Sequence, residues 1–308
     1  MRTSLATRSG RRIGVYRPDA RYSASIGRNG VNLGDRTVLI GNGNFANAFS
    51  RGSAAIGELC YLTPSGPAYG NFAAGYGCSI PNGASVGSVA LGNFCNVQSS
   101  AIGAVSAGYQ SVSSHSYTLS LGISCSTGNQ YQWIIGNGAT ASQMNAMSFG
   151  VATYPTRYGE QGWSSGRHTS NGDVMSSLLT VSGTTTNATP TELFIGGVAS
   201  NRIVLTAGSS LIVDVRAVAR TTGAIGKTAV FRRTLQIDRP TTAATTTLSG
   251  AVQTLLTDTG SNAGAPPAGW ALTLSADTTN GSLKVEATGD TDTILWSIEI
   301  TFQQAVRA

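Results

Sequence analysis

Cleaving a glycosidic bond requires two carboxylates at a defined separation, and this sequence leaves little room for such a pair. Between Ile26 and Thr156 the only acids are Asp35 and Glu58, and from Leu59 to Thr156, 98 residues, there is no Asp, Glu, Lys or Arg. Acids return towards the C-terminus as Asp214, Asp238, Asp258, Asp277, Glu286, Asp290, Asp292 and Glu299. Asp290 and Asp292 share a turn where two carboxylates could hold calcium, but no calcium loop of recognised spacing surrounds them, so they read as plain turn carboxylates. Serine is abundant, yet no Gly-x-Ser-x-Gly elbow exists with a partner histidine. His115 and His168 are the only histidines and read as hydrogen-bonded structural residues. The expectation is a protein without enzymatic activity, without a cofactor and without a metal.

The cysteines form no CxxC pair, which disfavours zinc. Cys60, Cys95 and Cys125 each lie three residues after a glycine (Gly57, Gly92, Gly122), and Ala139 holds the same place after Gly136. A position alternating between Cys and Ala reads as small, buried and apolar. Cys78 follows Gly77 directly and reads as lying outside that set. The aromatic residues Tyr154, Tyr158 and Trp163, with His168, fall in a Gly-rich segment. There they could stack on a glycan ring or pack in the neck of an oligomer, and packing is the favoured reading because buried rings dominate interface energetics.

What would position these residues is a repeat. An apolar residue followed by Gly recurs at Ile26-Gly27, Leu33-Gly34, Ile40-Gly41, Ile56-Gly57, Leu91-Gly92, Ile102-Gly103, Leu121-Gly122, Ile135-Gly136 and Phe149-Gly150. Gly108, Gly122, Gly136 and Gly150 are 14 apart, and Gly27, Gly34 and Gly41 are 7 apart. That period is too short for a helical repeat and fits one coil of a β-solenoid. The apolar residue before each Gly is expected to point inward, with the Gly permitting a tight corner or close backbone approach. An uncharged surface of this length implies burial against copies of the same chain.

The phrases Ser88–Gly92, Ser100–Gly103 and Ala54–Gly57 resemble the head repeats of trimeric autotransporter adhesins, left-handed β-rolls that also occur in phage tail fibres. The segment Tyr158-Gly159-Glu160 through Trp163, Gly166-Arg167 and Gly172-Asp173 is similar to stretches of phage tail and fibre proteins. So is the run from Val213 through Gly226, Phe231-Arg232-Arg233 and Trp270 to Trp296, which resembles their C-terminal domains. These likenesses imply a bacteriophage fibre or spike, homotrimeric, located in the virion and assembled in the host cytoplasm.

The chain therefore divides into a basic arm (1–25), a β-solenoid shaft (26–150), a neck (151–176) and a C-terminal antiparallel β-sandwich or jelly-roll domain (177–308), all-β throughout. Residues 1 to 51 hold nine Arg against Asp19 and Asp35. Arg2, Arg8, Arg11, Arg12 and Arg17 of the arm are the candidates for docking onto other virion proteins. Because the positive excess sits almost wholly in the arm, nucleic acid is not expected as a partner. No apolar run is long enough to cross a membrane as a helix. The leading expectation is a tail fibre that attaches to host cell-surface polysaccharide. The alternatives are a head fibre or capsid decoration protein, and a bacterial trimeric adhesin. The adhesin is disfavoured because no secretory signal or outer-membrane anchor strands are expected.

Overall fold

The computed structural model describes residues 22–64, 67–81, 86–98, 101–223, 226–261 and 264–307. The chain forms two compact units, Met1–Gly150 and Val151–Ala308. The described residues are all-β apart from one turn of 3-10 helix, Ala243–Thr245.

The first unit is a β-solenoid. Nine five-residue strands begin at residues 24, 38, 54, 72, 89, 105, 119, 133 and 147, so successive coils advance 14, 16, 18, 17, 16, 14, 14 and 14 residues. From Ala24–Arg28 to Trp133–Asn137 these strands stack in parallel and in register, Gly on Gly. A second parallel ladder of two- and three-residue strands, Val31–Asn32 to Thr140–Ala141, forms the other face of each coil. Some of the extra residues in the longer coils make a third small pairing, Ser50–Arg51 with Ala68–Tyr69. At about 4.8 Å per strand, eight turns rise about 38 Å.

The repeat glycine is explained by approach. A Cβ at Gly41 would lie 1.8 Å from the carbonyl oxygen of Gly57, and one at Gly108 would lie 2.0 Å from that of Gly122. The stack runs through Gly27, Gly41, Gly57, Gly75, Gly92, Gly108, Gly122, Gly136 and Gly150. It therefore includes Gly75, which the sequence pattern did not single out, and omits Gly34 and Gly103. Gly103 belongs instead to a corner, with φ +62°. Each coil turns at two left-handed corners, and several are occupied by Tyr22, Arg36, Tyr117 and Tyr131 on one side and by Leu59, Phe94, Gln110 and Ser124 on the other.

The inward direction is the reverse of the expected one. The residue immediately before the stacked Gly points outward: Ile26 is 57% exposed, and Ile40, Ile56 and Ile135 are 37 to 40% exposed. The inward residue is two before the Gly, namely Leu39, Ala55, Ala73, Ala90, Ser106, Ser120, Ile134 and Ser148, all buried. Side chains alternate along a strand, so the bulky residues on either side of this position must both face out. Small side chains hold this place in six coils, and Leu39 and Ile134 hold it in the other two.

Polar residues also line the interior. Thr37, Ser53, Asn71, Ser88, Thr118 and Gln132 form one buried column, four residues before the stacked Gly. A second column follows three residues after it and contains Asn44, Cys60, Cys78, Cys95, Ser111 and Cys125. Each of these donates to the carbonyl of the stacked Gly one coil on. The distances are 3.1 Å from Asn44 Nδ2 to Gly57, 3.4, 3.2 and 3.2 Å from the first three thiols to Gly75, Gly92 and Gly108, 2.8 Å from Ser111 Oγ to Gly122, and 3.1 Å from Cys125 to Gly136. One expectation is corrected here: Cys78 does share the column, because its reference glycine is Gly75 and not Gly77. The column is small and buried, as expected, and Ala139 also holds it. Where its occupant carries a donor, that donor meets a carbonyl that is costly to leave without one. All four thiols are buried and unpaired as disulfides, and burial pushes the Cys125 thiol up.

The second unit is antiparallel. Its main sheet runs Gln161–Ser164, Val174–Thr185, Ile294–Val306, Ser209–Thr221, Thr228–Arg239 and Gln253–Gly260, with Thr247–Leu248 also on the Thr228–Arg239 strand. A smaller set pairs Ala271–Asp277 with Ser282–Thr288, which in turn pairs Thr191–Ile195 and Ile203–Val204. Strict alternation in Ser209–Thr221 and Ile294–Val306 gives the main sheet one buried face. That face and the smaller sheet share one apolar core, which includes Val213, Val215, Phe231, Trp270, Leu283, Val285, Trp296 and Ile300. Trp296 stacks 5.7 Å from Phe231, and its Nε1 donates to Thr185 Oγ1 at 3.0 Å. Residues 151–176, expected as a neck, lie in this unit, and Gln161–Ser164 is a strand of its main sheet.

Candidate binding site

Of the four residues singled out in 151–176, the fold brings two together. Trp163 and His168 line a cavity of about 550 Å³ on the solvent side of the main sheet. Strand register builds its wall. Trp163 stands opposite Ser176, Ser176 opposite Gln303, Gln303 opposite Ile212, and Ile212 opposite Gln236. Because one face of a strand carries every second residue, these five form a single row across five strands. Trp163 is 41% and Ile212 59% exposed. Val174, Ser210 and Ala305 flank the row one pleat further on.

Behind the row, on the buried face of the same sheet, lies a polar network. Gln304, on that face, donates through Nε2 to the Gly172 carbonyl at 2.8 Å and accepts from Arg157 Nη2 at 3.3 Å. Arg157 pairs with Glu160 at 3.1 Å, donates through Nε to the Val204 carbonyl at 2.8 Å, and lies 4.7 Å over the Phe302 ring. Glu160 also accepts from the backbone N–H groups of Thr156 and Arg157, both at 2.9 Å, and from Ser177 Oγ at 2.6 Å. A buried ion pair holds only when its remaining valences are met in this way. Met175, opposite Gln304, is buried on the same face.

The rim is set by one turn. Asp173, 3% exposed, accepts from the backbone N–H groups of His168, Thr169 and Ser170 at 3.1, 2.6 and 2.8 Å. These bonds stabilise the charged form and lower the carboxyl to a pKa of about 2. They fix the turn that presents His168, itself exposed.

Tyr154 and Tyr158 do not line the cavity. Tyr154 packs over Gly172, where a Cβ would meet Tyr154 Cβ at 2.9 Å, and Tyr158 packs half-buried against the core. Gln236, Ile212 and Gln303 are lining residues that sequence reasoning did not find. Gln303 lies in the last strand, which runs from Ile294 to Val306. The Asp290 and Asp292 carboxylates both receive Lys227 Nζ, at 2.9 and 2.7 Å. Arg2, Arg8, Arg11, Arg12 and Arg17 lie outside the described residues.

A second surface stands out on the solenoid. The long-strand sheet turns two apolar columns outward, one through Val38 and Trp133 and the other through Ile40, Ile56, Leu91, Leu121 and Ile135. Trp133 is 51% exposed. All-parallel sheets are as a rule covered on both faces, and exposed apolar patches of this kind mark interaction surfaces.

No family model matches the chain, and no curated protein matches it. Two solved structures share some likeness. One is the tailspike protein of Acinetobacter baumannii phage AM24, with 11% identity over 90% of this chain and 56% of that one, and a TM-score of 0.20. The other is the tailspike protein of Acinetobacter phage vB_ApiP_P1, with 8% identity over 92% of this chain and 66% of that one, and a TM-score of 0.22. The chain thus spans just over half the length of the AM24 tailspike. Scores at this level carry no argument about function.

Proposed function

We propose that the protein is a non-enzymatic bacteriophage fibre or spike component, a homotrimer that attaches the virion to the host surface. The outward apolar face of the solenoid carries this reading. The sheet bearing it is parallel, and from Leu59 to Thr156 the chain has no charge to keep such a face solvated. Copies of the same chain are the cover that fits, because each brings an equivalent uncharged apolar face. In this reading the solenoid is the shaft and the basic arm, 1–25, docks on other virion proteins. The second unit is a two-layer β-sandwich that displays the cavity. Its uncharged lining supports binding over hydrolysis, since hydrolysis needs paired carboxylates. Three copies of one weak site would add avidity.

Two measurements test the proposal. Native mass spectrometry is expected to give a trimer, and a monomer would remove its basis. Labelled protein is expected on the tail in electron micrographs of particles and on bacterial cells in a pull-down. A capsid location without adherence to cells would replace attachment with a decoration role.

A further inference from the structure

We infer that the cavity beside Trp163 is a binding site for a neutral saccharide; the inference rests on the attachment reading above and names its ligand class. Its lining includes no Asp, Glu, Lys or Arg, and the neighbouring Asp238 carboxylate is already met by Gln236 and Ser249. On the solvent face the lining combines an indole, the His168 imidazole, two primary amides and several hydroxyls. Trp163 offers an exposed ring at one end of the row. Gln303 carries both donors and an acceptor, and Ser176 carries a hydroxyl that can do either; Gln236, with its Nε2 on Asp238 at 3.3 and 3.4 Å, offers its amide oxygen as an acceptor. A sugar ring needs that combination, because it presents a C–H face for an aromatic plane and a rim of hydroxyls that both donate and accept.

The geometry suits an extended ligand. Five strands at about 4.8 Å spacing place Trp163 and Gln236 about 19 Å apart, a span for several linked rings. The cavity of about 550 Å³ falls within the usual range for ligand sites. The row is prepared in advance, since its five residues stand on neighbouring strands joined by backbone ladders. Preorganisation of this kind lowers the ordering cost of binding.

The test uses the full-length protein on a printed array of neutral and acidic oligosaccharides, together with Trp163→Ala and Gln303→Ala. Binding to neutral glycans is expected, weakened about tenfold or more by each substitution, with the mass in solution unchanged. Gln303 sits at an exposed strand position, so Gln303→Ala keeps the test valid if Trp163→Ala misfolds. No binding to any neutral glycan, binding only to acidic ones, or binding unmoved by Gln303→Ala would each overturn the inference. So would a fall in mass on either substitution, which would make the cavity a contact between copies. Adherence to a panel of bacterial strains separates the two readings. If the wild type and both variants adhere equally, the saccharide site fails and attachment stands; if no strain is bound, attachment itself fails.

Discussion

Replacing Ser111 by Ala tests why the solenoid interior is polar. Ser111 is fully buried, and its Oγ donates to the Gly122 carbonyl at 2.8 Å. Alanine fits the space and removes only the donor. A buried hydrogen bond contributes about 0.5–1.5 kcal/mol net, and a carbonyl left without a partner costs about 1–3 kcal/mol. The expected destabilisation is therefore about 1–2 kcal/mol, which shifts a local opening equilibrium roughly 5- to 30-fold. Ser111→Cys is the matched control, because thiols already fill this place in four coils, at 3.1 to 3.4 Å from the glycine carbonyl. A thiol is a weaker donor, so a loss smaller than that of Ala is expected. The assay is amide hydrogen exchange by mass spectrometry on peptides covering Val105–Ile123, with peptides of the second unit as internal reference; exchange there reports local opening. If Ser111→Ala exchanges as slowly as the wild type, or more slowly than Ser111→Cys, the donor explanation fails and the column is an apolar one after all.

Three further outcomes are expected. Gly108→Ala should abolish the folded solenoid, because its Cβ would lie 2.0 Å from the Gly122 carbonyl oxygen. Gly103→Ala, whose Cβ would sit 3.5 Å from Tyr117 Cδ1 in a left-handed corner, should cost about 1–2 kcal/mol; equal circular-dichroism melts for the two would refute the stacking role. Ile135→Asp, outward and 40% exposed, should leave the fold of the single chain intact and lower the native mass, and an unchanged mass would show that this face is not an interface between copies. Asp173 should stabilise the fold at neutral pH and cease to do so in acid. Its carboxyl is held at about 2 in the fold against about 3.9 in the unfolded chain, so its contribution is complete above pH ~4 and lost as the pH falls towards 2. The melting-temperature gap between wild type and Asp173→Asn should therefore shrink across that window, and a gap constant down to pH ~2 would count against the turn.

The period of the solenoid was legible because one steric fact repeats: no side chain fits between stacked glycines. Its corners were not legible, because left-handed positions are filled by Tyr117, Tyr131, Phe94 and Gln110 as readily as by glycine. The coil around Gly75 escaped notice because Ala73 and Ala74 give it no bulky marker. In the second unit, the alternation of Ile294–Val306 is written in the sequence and puts Trp296 in the core beside Trp270. Trp163 and His168 were legible as an aromatic cluster near glycines. Gln236 and Gln303 were not, because they join Trp163 only through antiparallel register between strands 70 to 140 residues apart.

The inversion of the repeat has one cause, and it ties the interior to the exterior. A parallel strand of the pattern apolar–small–apolar–Gly can bury either the small residue or the two bulky ones inside a coil. Each strand buries its single middle residue, so Ala90, Ser106 and Ser120 go in while Val89, Leu91, Val105, Leu119 and Leu121 go out. The interior keeps apolar side chains such as Leu39, Leu62, Ile80, Val97 and Ile134, and is held besides by side-chain bonds to the next coil, which the Asn–Cys–Ser column supplies. The exterior carries the flanking apolar pair. Part of the hydrophobic stabilisation of this unit therefore waits until another surface covers that face. On this reasoning, a substitution such as Ile135→Asp should weaken assembly far more than it weakens the single coil.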